Sequence, residues 1–219
     1  MSRIATFDLM LGTNGSGKSH ILKQLLKINK RNLIIPPRLD NTWDNIPEIN
    51  TENILNKVGY SDWDVFFRNS NNVELLKARQ RFGYLLSQEL FNFSGSRKIY
   101  IDDEGLFKII VHPDYGFKRG GLFLDDFKDY IPSNKLPKFV HRMLSNRRFR
   151  ELDIFAATHS PLFVPVRMFA FNPTLYLFKI TDSFERAKDN FLKYDELVAL
   201  QKIVNERAKS DPHYFKILE

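Results

Sequence analysis

Gly12-Thr13-Asn14-Gly15-Ser16-Gly17-Lys18-Ser19 fits the pattern G-x-x-x-x-G-K-[ST] without a substitution, and its reading decides the fold. The loop follows an apolar run, Ile4 to Leu11, that reads as a buried strand. It precedes Ile21-Leu22 and Leu25-Leu26, apolar pairs at helical spacing. Strand, glycine loop and helix arrive in the order a phosphate-binding loop requires.

The chemistry explains these residue types. A triphosphate brings several negative charges, and backbone N–H groups at a helix N-terminus can surround the β-phosphate without a deep cationic pit. Gly12, Gly15 and Gly17 let the chain approach that closely. Lys18 is placed to reach the β- and γ-phosphates, and the Ser19 hydroxyl to complete a magnesium shell. A nucleotide site is therefore preferred over an accidental glycine-rich turn.

With 219 residues and 43% hydrophobic content, the chain can bury the core of a single α/β domain, taken as residues 1–219. Cys 0 excludes a disulfide scaffold and any thiolate metal site. No apolar run reaches the length of a membrane span, and Met1-Ser2-Arg3 opens into the first strand rather than a signal peptide. A soluble, cytoplasmic protein is expected. A net charge of +7 and a pI near 9.5 favour polyanionic partners such as nucleic acid. The basic residues concentrate in Lys23-Lys27-Lys30-Arg31, Lys77-Arg79-Arg81 and Arg142-Arg147-Arg148-Arg150, each of which also reads as a solvated helix face.

Asn32 to Ile35 reads as a short strand, Leu39 to Ser61 as an irregular surface excursion, and Trp63 to Phe67 as another strand. Asn71-Asn72 offers a cap for a helix with Leu75, Phe82, Leu86, Leu90 and Phe93 on one stripe. Lys98 to Ile101 and Leu106 to His112 read as strands joined by a hairpin turn, Asp102-Asp103-Glu104-Gly105. Leu136 to Phe149 has helical spacing and ends in Arg147-Arg148, and Asp153 to Ala157 and Leu175 to Ile180 are strand-like. Asp195 is expected to cap a last helix through Leu197, Leu200 and Val204. Alternating strands and helices predict a mostly parallel sheet with helices on both faces.

A P-loop hydrolase needs a second strand ending in an aspartate that holds magnesium, followed by an acid that polarises water. Ile99-Tyr100-Ile101-Asp102-Asp103-Glu104 and Leu122-Phe123-Leu124-Asp125-Asp126 both carry the letters. The second is preferred, because the first runs straight into another strand pattern, whereas the second leads to a helix as a parallel crossover requires. Asp125 would then serve the magnesium shell and Asp126 the water. Thr158-His159-Ser160-Pro161 ends a strand, where nucleotides bind in open α/β sheets, so Thr158 or His159 is placed to sense the γ-phosphate. A structural histidine is the competing reading.

Together these elements resemble the FtsK–HerA superfamily of DNA-pumping ATPases, and within it the small genome-packaging ATPases of tailless, often membrane-containing viruses and phages. The resemblance is carried by Gly12 to Ser19, Gly121 to Asp126, Arg147-Arg148, and Leu152 to His159. Val164-Pro165-Val166-Arg167 and Leu175 to Lys179 continue it. It implies a RecA-like P-loop core and a ring, usually hexameric, that moves DNA through its channel on ATP. It implies phosphate and Mg2+ binding by Lys18 and Ser19, a Walker B pair at Asp125-Asp126, and Thr158-His159 at the sensor position. An arginine finger from Arg147, Arg148 or Arg167 would reach a neighbouring subunit. A viral capsid vertex as partner, and a place in host cytoplasm or virion, belong to the same expectation. Two departures stand out: Asp126 where the family commonly has Glu, and His159 where it commonly has Gln.

Two other ATPase classes compete. Zot-like assembly ATPases share the pattern but are expected to carry a membrane span. An ABC-type ATPase is suggested by Asn14 to Ser19 and by Ala157-Thr158-His159-Ser160-Pro161, but its signature loop would have to be the degraded Leu86-Ser87-Gln88-Glu89. A nucleotide-dependent assembly module without turnover is the non-enzymatic alternative.

Overall fold

The apolar run ahead of the glycine loop forms β1 (Phe7–Leu11), buried at every position, and the chain turns from the loop into α1 (Lys18–Leu25). The structure, a computed structural model, describes residues 4–38, 41–68, 71–101 and 103–219. Met1-Ser2-Arg3, part of the expected excursion at Leu39-Asp40, and Asp102 of the competing acid run lie outside them.

Five more strands join β1 in parallel: β2 (Arg31–Ile35), β3 (Gly95–Lys98), β4 (Gly120–Leu124), β5 (Leu152–Thr158) and β6 (Thr174–Leu177). The edge strand β7 (Lys216–Leu218) pairs antiparallel with β6, and the 7-stranded sheet has the order β3-β2-β4-β5-β1-β6-β7. Strand β5 therefore lies between β1 and β4, and all parallel strands end on one edge.

Side chains alternate between faces along a strand, so each β1 residue type finds its own layer. Leu9 and Leu11 enter a large core with Leu86 of α4 (Val73–Asn92), Phe107 of α5 (Glu104–Ile110), Val140 of α6 (Lys138–Ser145) and Leu197 of α7 (Tyr194–Arg207). Met10 packs on the opposite face with Leu22, Trp43, Phe123, Phe155 and Phe178. The expected parallel sheet with both faces covered is what forms.

Local expectations fail in several places. Leu106 to His112 is not a strand: Asp103 Oδ1 accepts the Gly105 N–H at 2.6 Å and starts α5, which buries Leu106, Phe107 and Ile110 on one side. Among the described residues no hairpin forms there, and β3 pairs in parallel with β2. Trp63–Phe67 is α3, because Asp62 Oδ1 accepts the N–H groups of Asp64 and Val65, and Trp63 and Phe66 pack edge-on against Phe82 or tilted to it. The excursion is less irregular than its polarity suggests. It holds a helical turn at Asn41–Trp43 and α2 (Thr51–Lys57), and buries Trp43, Ile49, Ile54 and Leu55. Helix α6 stops at Ser145, so Arg147 and Arg148 lie in the turn beyond it, and Asp195 sits in the first turn of α7 rather than at its cap.

Candidate nucleotide-binding site

Backbone geometry makes the glycine loop possible. Gly15 and Gly17 have φ of 74 and 100, the left-handed region that favours glycine. At Gly12 a Cβ would sit 2.5 Å from Phe178 Cβ and 2.8 Å from Ser16 Oγ, so no side chain fits. The loop hangs from its neighbours: Gly12 N–H donates to the Thr158 carbonyl at 3.3 Å and Thr13 N–H to the Lys179 carbonyl at 2.9 Å. Lys18 Nζ donates to the carbonyls of Gly12 at 2.6 Å and Thr13 at 2.9 Å. Burial lowers the Lys18 pKa, and Asp125 and Asp126 act against that shift.

Strand β4 delivers the acids to this loop. Asp125 N–H donates to the Ile35 carbonyl at 3.0 Å, continuing the pairing of β4 with β2. Its Oδ2 accepts from Ser19 Oγ at 3.4 Å and from the Trp43 indole Nε1 at 2.9 Å. Asp126 follows with a left-handed φ of 49, a conformation that aspartate tolerates better than most residues. Its Oδ2 meets His159 Nε2 at 2.8 Å and Lys128 Nζ at 3.5 Å. Because β5 lies between β1 and β4, its tip sets Thr158 and His159 between the glycine loop and the acids. A pocket of about 530 Å³ results, lined by Asn14, Lys18, Ser19, Asp125, Asp126 and His159, with Pro37 and Thr42 on its wall.

Glycine loop, Asp125-Asp126 and Thr158-His159 thus meet at one edge of the sheet. Asp103 does not join them; it caps α5. Arg147 is half-buried and donates to the Leu144 carbonyl at 2.8 Å, while Arg148 is exposed. Both precede β5, whose 7 residues, at about 3.3 Å each, put them roughly 20 Å from His159 along the strand. Arg167 is exposed on the helical turn Val166–Phe171, beyond the tip of β5. Sequence reasoning missed Trp43, Thr42 and Lys128, which belong to no motif. The two clues were a tryptophan in an otherwise polar stretch and a lysine two residues after the acid pair.

The donor set fits a magnesium–nucleotide. The Ser19 hydroxyl and Asp125 carboxylate are hard oxygen ligands held side by side, as Mg2+ prefers. Ser16 Oγ, Thr158 Oγ1 and Asp126 Oδ1 are buried without a hydrogen-bond partner, so polar capacity remains beside the loop.

Fold and site together define a P-loop NTPase architecture. Solved structures similar to this chain include those of the genome packaging NTPase B204 from Sulfolobus turreted icosahedral virus 2. The complex with ATP-gammaS aligns at TM-score 0.53 and 11% identity, covering 98% of this chain and 97% of that one. The complex with AMP gives TM-score 0.57 and 12% identity over 98% and 92%. B204, the DNA-packaging ATPase from Sulfolobus Turreted Icosahedral Virus, gives TM-score 0.51 and 11% identity over 100% and 98%. At these identities the likeness is one of fold, and it meets the resemblance drawn from the sequence. No protein-family model and no curated protein matches the sequence.

Proposed function

We propose that the chain is an ATP-driven DNA-translocating motor, a viral genome-packaging ATPase of one P-loop domain that hydrolyses ATP at the subunit interfaces of a hexameric ring. One observation carries the reading: Ser19 and Asp125 oppose each other at the head of the glycine loop, with the Asp126–His159 pair beside them. The similar solved structures, of a genome packaging NTPase in complex with ATP-gammaS and with AMPPCP, support it.

In this reading the loop N–H groups of Gly15 to Ser19 cradle the β-phosphate, and Lys18 neutralises the β- and γ-oxygens. Ser19 and Asp125 would hold Mg2+, which when bound supplies charge neutralisation at the phosphates. Trp43 fixes the Asp125 carboxylate. Asp126 takes the proton of the attacking water, and His159 orients Asp126 and senses the γ-phosphate through its hydrogen bond. Arg167 is the finger toward the neighbouring subunit, with Arg147 and Arg148 as alternative donors. DNA and a capsid vertex are the partners, in host cytoplasm or virion. Among the described residues no helix is long and apolar enough to cross a membrane.

Phosphate release with and without DNA, together with particle shape in a non-hydrolysable analogue, tests the reading. DNA-stimulated turnover from a ring is expected. Nucleotide binding without turnover would make the chain an assembly module, and a head-to-tail dimer would make it ABC-type.

A further inference from the structure

A parallel sheet sorts its connections onto two edges. The nucleotide site occupies the edge where the strands end; the turns that enter β2, β4 and β5 form the other. Those turns carry Lys27 and Lys30, Lys118 and Arg119, and Arg147 and Arg148, against two acids among the described residues, Asp114 and Glu151. Glu151 lies 3.9 Å from Arg119 with both side chains exposed, a pairing too weak to neutralise the edge.

Not every arginine here is available. Arg31 donates to the carbonyls of Leu90, Phe93 and Lys118 and lies over the Phe93 and Phe117 rings. Arg150 is buried and donates to the carbonyls of Val111 and Phe117. Both are spent on structure. Lys30, Arg119 and Arg148 are exposed, and among the described residues no carboxylate pairs with Lys30 or Arg148. Between Arg148 and Arg150 stands Phe149, 91% exposed, and Phe91, 56% exposed, lies 5.9 Å from the Arg31 guanidinium.

The backbone of this edge is also unusual. Arg119 and Glu151, in adjacent turns, have φ of 58 and 52, a left-handed conformation that neither residue type favours. Such strain persists where the surroundings impose it, and it clusters at binding sites.

We infer that this edge binds the phosphodiester backbone of a nucleic acid, with Lys30, Arg119 and Arg148 on phosphates and Phe149 stacked on an unpaired base. The inference rests on the reading of nucleic acid as the partner and adds the surface that receives it. Strands β2, β4 and β5 are neighbours at about 4.8 Å, so the three turns span about 10 Å, over which a duplex presents roughly six charges. Exposed aromatics between cations are the side chains that take up single-stranded bases.

Fluorescence anisotropy with labelled duplex and single-stranded DNA of about 30 nucleotides tests this across a salt series. Arg119→Gln/Arg148→Gln should raise Kd at least about tenfold near 0.1 M salt and flatten the log–log salt slope by about 2, two phosphate contacts being lost. Phe149→Ala should weaken single-strand binding about fivefold or more and duplex binding less. A control with the same charge change on the α7 side, Lys202→Gln/Lys209→Gln, should stay within about twofold. Equal losses in control and edge variant, or an edge variant that binds like wild type, would overturn the surface. Equal effects of Phe149→Ala on both DNAs would overturn the stacking contact. A wild-type protein that binds neither DNA would refute the partner reading itself, and the surface with it.

Discussion

Trp43→Phe should unsettle Asp125 without touching the glycine loop. The indole is 1% exposed, and its N–H donates at 2.9 Å to a carboxylate that is itself 4% exposed. A hydrogen bond to a charged acceptor contributes about 1.5–3 kcal/mol, and the smaller ring leaves a gap costing about 1 kcal/mol more. The expected loss is therefore about 2.5–4 kcal/mol, a large share of the roughly 5–15 kcal/mol typical of a domain. Urea unfolding reads it as a lower midpoint at unchanged slope. Function should change separately. Groups that hold a metal-binding carboxylate typically matter about 10–100-fold in metal affinity, so the Mg2+ needed for half-maximal ATP hydrolysis should rise by at least about tenfold. Trp63→Phe is the control, since Trp63 stacks on Phe67 at 5.8 Å and meets Phe82 edge-on, outside the lining of the pocket that holds Asp125. It should lose stability while keeping the wild-type Mg2+ requirement. An unchanged requirement in Trp43→Phe, or an equal shift in Trp63→Phe, would refute the reasoning.

Asp126→Asn should retain ATP binding and lower kcat about 10²–10⁴-fold, while Asp103→Ala should cost about 1 kcal/mol of stability through its lost helix cap and leave turnover intact. Inactive Lys18→Ala subunits mixed with inactive Arg167→Ala subunits should regain partial turnover, which no mixture would show if the finger is not supplied across an interface. Burial, then Asp153, raises the Asp8 pKa from 3.8 to about 7, although a Tyr176 hydrogen bond opposes the shift. The folded state thus holds a proton that the unfolded chain gives up, so stability should fall as pH rises from about 4 to about 7, by up to about 4 kcal/mol. Asp8→Asn should flatten that slope in urea titrations; an unchanged slope would place the proton elsewhere.

How far the sequence reached depended on how local each signal was. The glycine loop, Asp125-Asp126 and Thr158-His159 converge in the structure because each sits at the carboxyl end of a parallel strand, and such ends are marked by short runs of letters at fixed spacing. The elements around α3 and α5 were misread as strands because short apolar, aromatic or β-branched runs fit either state. Their capping aspartates, Asp62 and Asp103, were the deciding signals. Trp43 could not have been found by pattern, since its link to Asp125 joins residues 82 positions apart and exists only once β2 and β4 pair. Strand β7 escaped notice because three residues give no period to read.

Steady-state phosphate release from Mg·ATP by wild type and by Lys18→Ala, compared at equal fold stability, tests the central claim most directly. The wild-type protein should turn over and rise further with DNA. In the proposed reading the variant should fall to background, because the ammonium held against the Gly12 and Thr13 carbonyls would supply the charge that the β- and γ-phosphates require. Equal turnover in the two proteins would contradict the assignment of this pocket as a catalytic nucleotide site.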